Sequence, residues 1–193
     1  AFVNNSTTGG GAAIYHGDLD SMVQIGQSVF ARNQGVSLLH IENGTQNLGD
    51  NLTDNSQSGF FNAQAGDHIG TADYVVTSVA DTYNHVDDAM NLSTREAIDL
   101  ANTTAGIQEI WLPAWKSILT RERTVDENLP EMDISQGDLE VSESLVIRGV
   151  ADLTRVVWST NAVPDKVFEL LGDYDNDGVS TPPSNVDQSD YVV

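Results

Sequence analysis

Ile107-Gln108-Glu109-Ile110-Trp111-Leu112-Pro113-Ala114-Trp115-Lys116-Ser117-Ile118-Leu119 is the stretch on which the fold assignment turns. Read at helical spacing, Ile107, Ile110, Trp111, Ala114, Trp115, Ile118 and Leu119 fall on one face, with Pro113 opening a fresh helical turn or kinking a continuous one. The residues before it repeat the pattern. Val75, Val79, Tyr83, Val86 and Met90 form an apolar stripe at helical spacing. Ser93-Thr94-Arg95-Glu96 is a capping box, in which the serine hydroxyl takes the third amide and the glutamate carboxylate returns to the cap amide. Ala97, Leu100 and Ala101 continue the helix that this box starts.

Working outward, Leu19, Met22, Val23, Gly26, Val29 and Phe30 repeat helical spacing from Asp18, and Gly35 follows as a stop. Val36 to Ile41 reads as one short strand ended by Asn43-Gly44. Residues 43–69, rich in Asn, Gly, Asp, Ser and Gln and broken by Phe60-Phe61, read as a long loop. Leu145, Val146, Gly149, Val150, Leu153, Val156 and Val157 fit a helix capped near Ser135–Asp138 or, being valine-rich, a pair of strands. Asp165 to Leu171 reads as a last short helix after Pro164. No fixed repeat of 20 to 50 residues emerges, which argues against a solenoid. The expectation is a mostly helical domain with a minor β element near 36–41, the alternative being an α+β fold or a β-rich sandwich or jelly roll. Residues 1–17 with their Gly9-Gly10-Gly11 run read as a flexible arm, 18–172 as one globular domain and 173–193 as an acidic tail. The start at Ala1 implies that an initiator methionine or a longer targeting segment was removed.

Twenty aspartates and nine glutamates face six arginines and two lysines, for a net charge of −21 over 193 residues. Such a chain lacks the clustered cations that neutralise phosphates, which excludes an ordinary nucleic-acid binder. No apolar stretch is long enough to span a bilayer. Self-repulsion at this charge is screened only when salt shortens the Debye length to a few ångströms. In its surplus of short carboxylates over lysine, the composition resembles that of proteins from extreme halophiles. Cysteine is absent, which removes disulfides, thiolate metal sites and cysteine nucleophiles. Six N-x-S/T sequons, at Asn4, Asn5, Asn43, Asn51, Asn91 and Asn102, exceed the about two or three expected by chance. Asn43, Asn51, Asn91 and Asn102 are the glycosylation candidates of an outward-facing protein.

One motif carries metal chemistry. Asp173-Tyr174-Asp175-Asn176-Asp177-Gly178-Val179-Ser180-Thr181 places carboxylates at alternate positions ahead of a glycine that permits a sharp turn, as a hard cation with six to eight oxygen ligands requires. This segment resembles the calcium loop of EF-hand, dockerin and thrombospondin-type repeats. The resemblance implies calcium, with Asp173, Asp175 and Asp177 as side-chain ligands, Val179 as a carbonyl ligand and Thr181 at the ninth position. It departs from the pattern at Ser184, where the bidentate glutamate belongs, at Ser180, and at Pro182-Pro183, which forbids the exiting helix.

Other constellations fail. His16, His40, His68 and His85 lack metal-ligand spacing, and Gly26-Gln27-Ser28-Val29-Phe30 lacks the second glycine of a nucleophile elbow. Trp111 and Trp115, with Tyr83, read as core packing. With no catalytic constellation legible, the expectation is a non-enzymatic structural or assembly protein of an extreme halophile: a virion component or cell-surface subunit that associates with itself or other structural subunits. The alternative is an extracellular binding or enzymatic domain whose site is assembled from scattered residues.

Overall fold

The computed structural model describes residues 1–8, 13–17, 22–34, 39–41, 45–54, 64–65, 67–84, 91–121, 136–150, 153–159 and 167–170. These form fifteen short strands and one helix. The strands are β1 (Phe2–Val3), β2 (Ile14–His16), β3 (Val23–Gly26), β4 (Val29–Ala31), β5 (Leu39–Ile41), β6 (Thr45–Gly49), β7 (Leu52–Asp54), β8 (His68–Gly70), β9 (Tyr74–Val75), β10 (Gln108–Trp111), β11 (Lys116–Leu119), β12 (Leu139–Val141), β13 (Leu145–Arg148), β14 (Arg155–Trp158) and β15 (Phe168–Leu170); the helix is α1 (Thr94–Thr103).

Every strand pairing among the described residues is parallel. Parallel neighbours cannot be joined by a hairpin, so the chain must travel a full circuit before it lies beside itself. Here the partner is the strand three elements further on. β1 pairs with β4, β2 with β5, β3 with β6 and β4 with β7; later β10 pairs with β13, β11 with β14 and β12 with β15. This is the winding of a three-sided β-solenoid, in two stacks of coils. β8 extends the ladder of the first stack to β1-β4-β7-β8, and β9 extends that of the second to β13-β10-β9.

The coils turn at stacked corners. Asn4 and Arg32 follow the paired residues Val3 and Ala31, and both have φ near +57°. Gln27 and Asp50 follow the paired glycines Gly26 and Gly49 and share the same left-handed backbone. Amides just past these corners need partners along the stacking direction, and side chains of the next coil supply them. Asn5 N donates to Asn33 Oδ1 (3.0 Å), Ser28 N to Asn51 Oδ1 (3.1 Å), and Asn51 N to Asp67 Oδ1 (2.9 Å). Asn33 and Asn51 are accordingly buried although polar.

Apolar residues fill three layers. Phe2, Ile14, Val23, Ile25 and Phe30 pack inside the first stack, where the Phe2 and Phe30 rings lie parallel at 4.9 Å. Ile110, Leu112, Leu119, Leu139 and Val141 pack inside the second, joined by Ala97, Ile98 and Ala101 of α1. Between the stacks lies a seam of Val29, Ala31 and Leu52 from one side and Val75, Trp111 and Val150 from the other. The alternation of strand side chains explains this division. Phe30 points into its own stack while Val29 and Ala31 point to the seam; Ile110 points inward while Trp111 faces the seam.

The mostly helical expectation is therefore wrong. The repeat of three or four residues in the apolar pattern arises from short strands broken by corners. In 107–119 two strands, β10 and β11, flank a corner at Pro113. Trp111 lies in the seam, whereas Trp115 and Tyr83 pack on the second stack's core, so the three do not form one packing group. The helix expected from Asp18 is β3 and β4, the long loop of 43–69 contains β6, β7 and β8, and the helix expected at 165–171 contains β15. The valine-rich segment takes its strand alternative as β13 and β14, and the strand expected at 36–41 is present as β5. The stretch expected as an N-terminal arm supplies β1 and β2, and the solenoid dismissed for want of a fixed period is the architecture, because the circuits differ in length. The capping box is where it was expected: Ser93 Oγ accepts from Glu96 N, and Glu96 Oε2 accepts from Ser93 N.

Asn51→Ala removes the acceptor for Ser28 N and the donor to Asn47 and Asp67. It is expected to lower unfolding free energy by about 1–3 kcal/mol, measured by urea denaturation in molar salt.

Candidate functional site

One margin of the seam carries a polar cluster that crosses between the two stacks. His68 opens β8, Glu109 and Trp111 lie two apart on the same side of β10, and Arg148 ends β13 in register with Trp111. Coil winding thus brings together residues about forty positions apart in sequence. Glu109 Oε1 accepts three hydrogen bonds, from Trp111 Nε1 (2.6 Å), Arg148 Nε (2.8 Å) and His68 Nε2 (3.0 Å). Trp111 is fully buried, whereas the side chains of His68, Glu109 and Arg148 are 29%, 22% and 40% exposed, so the cluster is anchored below and open above.

The surroundings hold this arrangement. The His68 ring meets the edge of the Trp111 ring at 5.9 Å, nearly perpendicular. Gly70, two residues along the same strand, leaves the space the imidazole uses; a β-carbon there would stand 2.6 Å from His68 Nε2. Arg32, at its left-handed corner, donates from Nη2 across the seam to the Asp73 carbonyl and from its backbone N to Asp54 Oδ2. Asp73 Oδ2 accepts from Glu109 N (2.8 Å).

Partial burial pushes the Glu109 carboxyl up, but the bonds from Trp111 and Arg148, and then the charges of Arg148 and His68, outweigh it and hold its pKa below the ordinary value. Glu109 is a fixed acceptor rather than a proton donor. Asp81, which accepts from Arg95, Thr120 N and Arg121 N, and Asp67, held by Gln64 N, Asn51 and Asn47, are shifted down in the same way against the upward push of burial. A general acid needs a pKa raised toward working pH, and Glu109, Asp81 and Asp67 are shifted the other way.

The buried Asp81–Arg95 pair serves the scaffold. Arg95 Nε reaches Asp81 Oδ1 at 2.7 Å with both side chains inaccessible, and its other nitrogens reach the Gly137 and Asp138 carbonyls. It fastens the segment carrying α1 onto the second stack.

Among the residues singled out from sequence, Asp173, Asp175, Asp177, Val179 and Thr181 lie outside the described residues, as does Asn43. Asn91 is exposed. Asn51 is buried, with Nδ2 donating to Asn47 and Asp67, and Asn102 Nδ2 donates to the Glu140 carbonyl, so a glycan on either would displace these bonds. Among the described residues no three His, Asp or Glu side chains gather as a metal site, and no helix is long and apolar enough to cross a membrane. Sequence reasoning missed Glu109, Arg148 and Arg32 altogether and passed over His68, since no local motif links them. The faint signal was the scarcity of cations, which makes each arginine informative. No family model, curated protein or solved structure matches the chain.

The depressed carboxylates set the sign of the pH dependence. Their folded pKa values lie below the ordinary 3.8 and 4.5, so their stabilisation is complete above those values and is lost as pH falls through the folded ones. Melting temperature is expected to fall steeply below about pH 4. Asp81→Asn should cost about 3–5 kcal/mol at neutral pH and flatten that slope, both read from urea titrations at several pH values.

Proposed function

We propose that this protein is an extracellular binding domain of a high-salt organism, and that it takes a hydroxyl-rich polymer, a polysaccharide, along the seam margin centred on Glu109. The observation that carries this reading is the cluster itself. A buried indole, a guanidinium and an imidazole pin one oxygen of a partly exposed carboxylate, leaving the second oxygen with no hydrogen bond among the described residues. Fixed acceptors beside guanidinium and imidazole donors suit the paired hydroxyls of sugars. A solenoid also supports an extended ligand, because hydrogen-bonded parallel strands repeat every ~4.8 Å along a face. The lowered pKa of Glu109 keeps it ionised as a hydrogen-bond acceptor at this margin. The acidic surface favours brine, where molar salt screens its self-repulsion.

Titration of the full chain in molar salt with a panel of polysaccharides tests the reading. Glu109→Ala and His68→Ala should each weaken binding by about tenfold or more, while Thr103→Ala on the exposed end of α1 leaves it unchanged. Retention of full affinity by both cluster variants would sink this assignment.

The calcium loop belongs to the same proposal, with Asp173, Asp175 and Asp177 supplying carboxylates, Val179 its carbonyl and Thr181 the ninth position. Excess chelator is expected to lower the melting temperature, and Asp175→Ala to reproduce that loss with no further response to chelator. An unchanged melting curve in chelator would remove calcium from the account.

A further inference from the structure

We infer that the seam margin reads an oxyanion, a carboxylate or sulfate group carried on the polysaccharide, with Arg148 as its fork and Arg32 as a second cationic donor; this rests on the reading of the protein as a polysaccharide-binding domain. Arg148 spends only Nε on Glu109, and its Nη1 and Nη2 have no hydrogen-bond partner among the described residues. Arg32 spends Nη2 on the Asp73 carbonyl, and since both bidentate edges of a guanidinium include Nη2, it serves as a second cationic donor beside the Arg148 fork. His68 gives Nε2 to Glu109 and leaves Nδ1 without a hydrogen-bond partner among the described residues. A planar guanidinium with two adjacent N–H groups matches the two oxygens of an oxyanion, and this pairing is among the strongest hydrogen-bonded contacts.

Two features leave these donors open to a ligand although Arg148 is ion-paired with Glu109. Glu109 grips Arg148 at Nε alone, which leaves the Nη1/Nη2 end of the guanidinium without a hydrogen bond among the described residues; Glu109 is a positioning residue for that fork. The neighbouring acids are turned onto main-chain amides, Asp73 onto Glu109 N and Asp54 onto Arg32 N, which stabilises their charge in place. Arg32 follows β4 and His68 opens β8 two strands further along the same ladder, so donors recur along the stacking direction of the first stack, and Arg148 faces them from the end of β13.

The net charge of −21 gives this site an unusual salt response. Whole-protein repulsion of an anionic chain acts at long range and disappears as the Debye length falls from about 10 Å at 0.1 M to about 3 Å at 1 M, while the contact pairs at the arginines are screened far less. Affinity for an acidic polysaccharide should therefore rise with salt over that interval, opposite to the usual behaviour of a cationic binding surface.

The test is calorimetric titration of the full chain at both salt levels with three probes of similar length: a uronic-acid oligosaccharide, its carboxyl-reduced neutral form and a sulfated oligosaccharide. The expected result is at least about tenfold tighter binding of the uronate than of the neutral form, strengthening with salt. Arg148→Lys, which keeps the charge and loses the fork, should abolish most of that preference, and Arg32→Lys should reduce it, with melting curves confirming that each variant is folded. Preference for the sulfated chain alone keeps the oxyanion site and names sulfate as its ligand. Equal affinity for acidic and neutral forms overturns the inference while leaving the polysaccharide reading in place. Binding of none of the three removes both.

Discussion

Parallel pairing between coils is the constraint on which everything else in this molecule depends. Each short strand is too small to be stable alone, and its amides and carbonyls point along the stacking direction toward the coil before and the coil after. The ladder continues through the corners because Asn33, Asn51 and Asp67 take over from backbone carbonyls where the chain turns. Left-handed corners at Asn4 and Arg32, and again at Gln27 and Asp50, stack on one another so that equivalent strands stay in register.

Two stacks rather than one follow from the alternation within the strands that face each other. β4 buries all three of its residues because Phe30 serves the inside of its coil and Val29 and Ala31 serve the seam. β10 does the same with Ile110 and Trp111. A strand with two apolar faces cannot be exposed on either, so the second stack is a packing requirement of the first. Where the apolar seam runs out, Glu109 satisfies the buried indole nitrogen of Trp111, and His68 and Arg148 satisfy Glu109 in turn. The candidate site is thus the polar termination of a hydrophobic interface, and its rigidity comes from that interface.

The charge distribution separates scaffold from surface. Arg95 is spent in the interior on Asp81, whereas Arg32 and Arg148 stand at the seam margin with part of each guanidinium uncommitted. Against a net charge of −21, two partly open arginines at one margin offset the carboxylates beside them, Glu109, Asp54 and Asp73.

By itself, the sequence determined what depends on neighbours along the chain or on totals over it. The acidic surplus, the absence of cysteine, the capping box at Ser93 and Glu96 with the helix behind it, and the short strand ending at Ile41 are all legible locally. A weak echo of the coils is present too: Ile25-Gly26-Gln27-Ser28-Val29 and Leu48-Gly49-Asp50-Asn51-Leu52 share an aliphatic-Gly-polar-polar-aliphatic pattern at the corner. It escapes a search for fixed periods because the other circuits are longer or shorter. Only the tertiary structure decided which strands stack, that a corner rather than a helix turn separates Trp111 from Trp115, and that His68, Glu109 and Arg148 meet. Those outcomes depend on hydrogen bonds between residues from about sixteen to about forty positions apart, and short apolar runs satisfy helical and coiled-strand spacing equally well until those bonds choose between them.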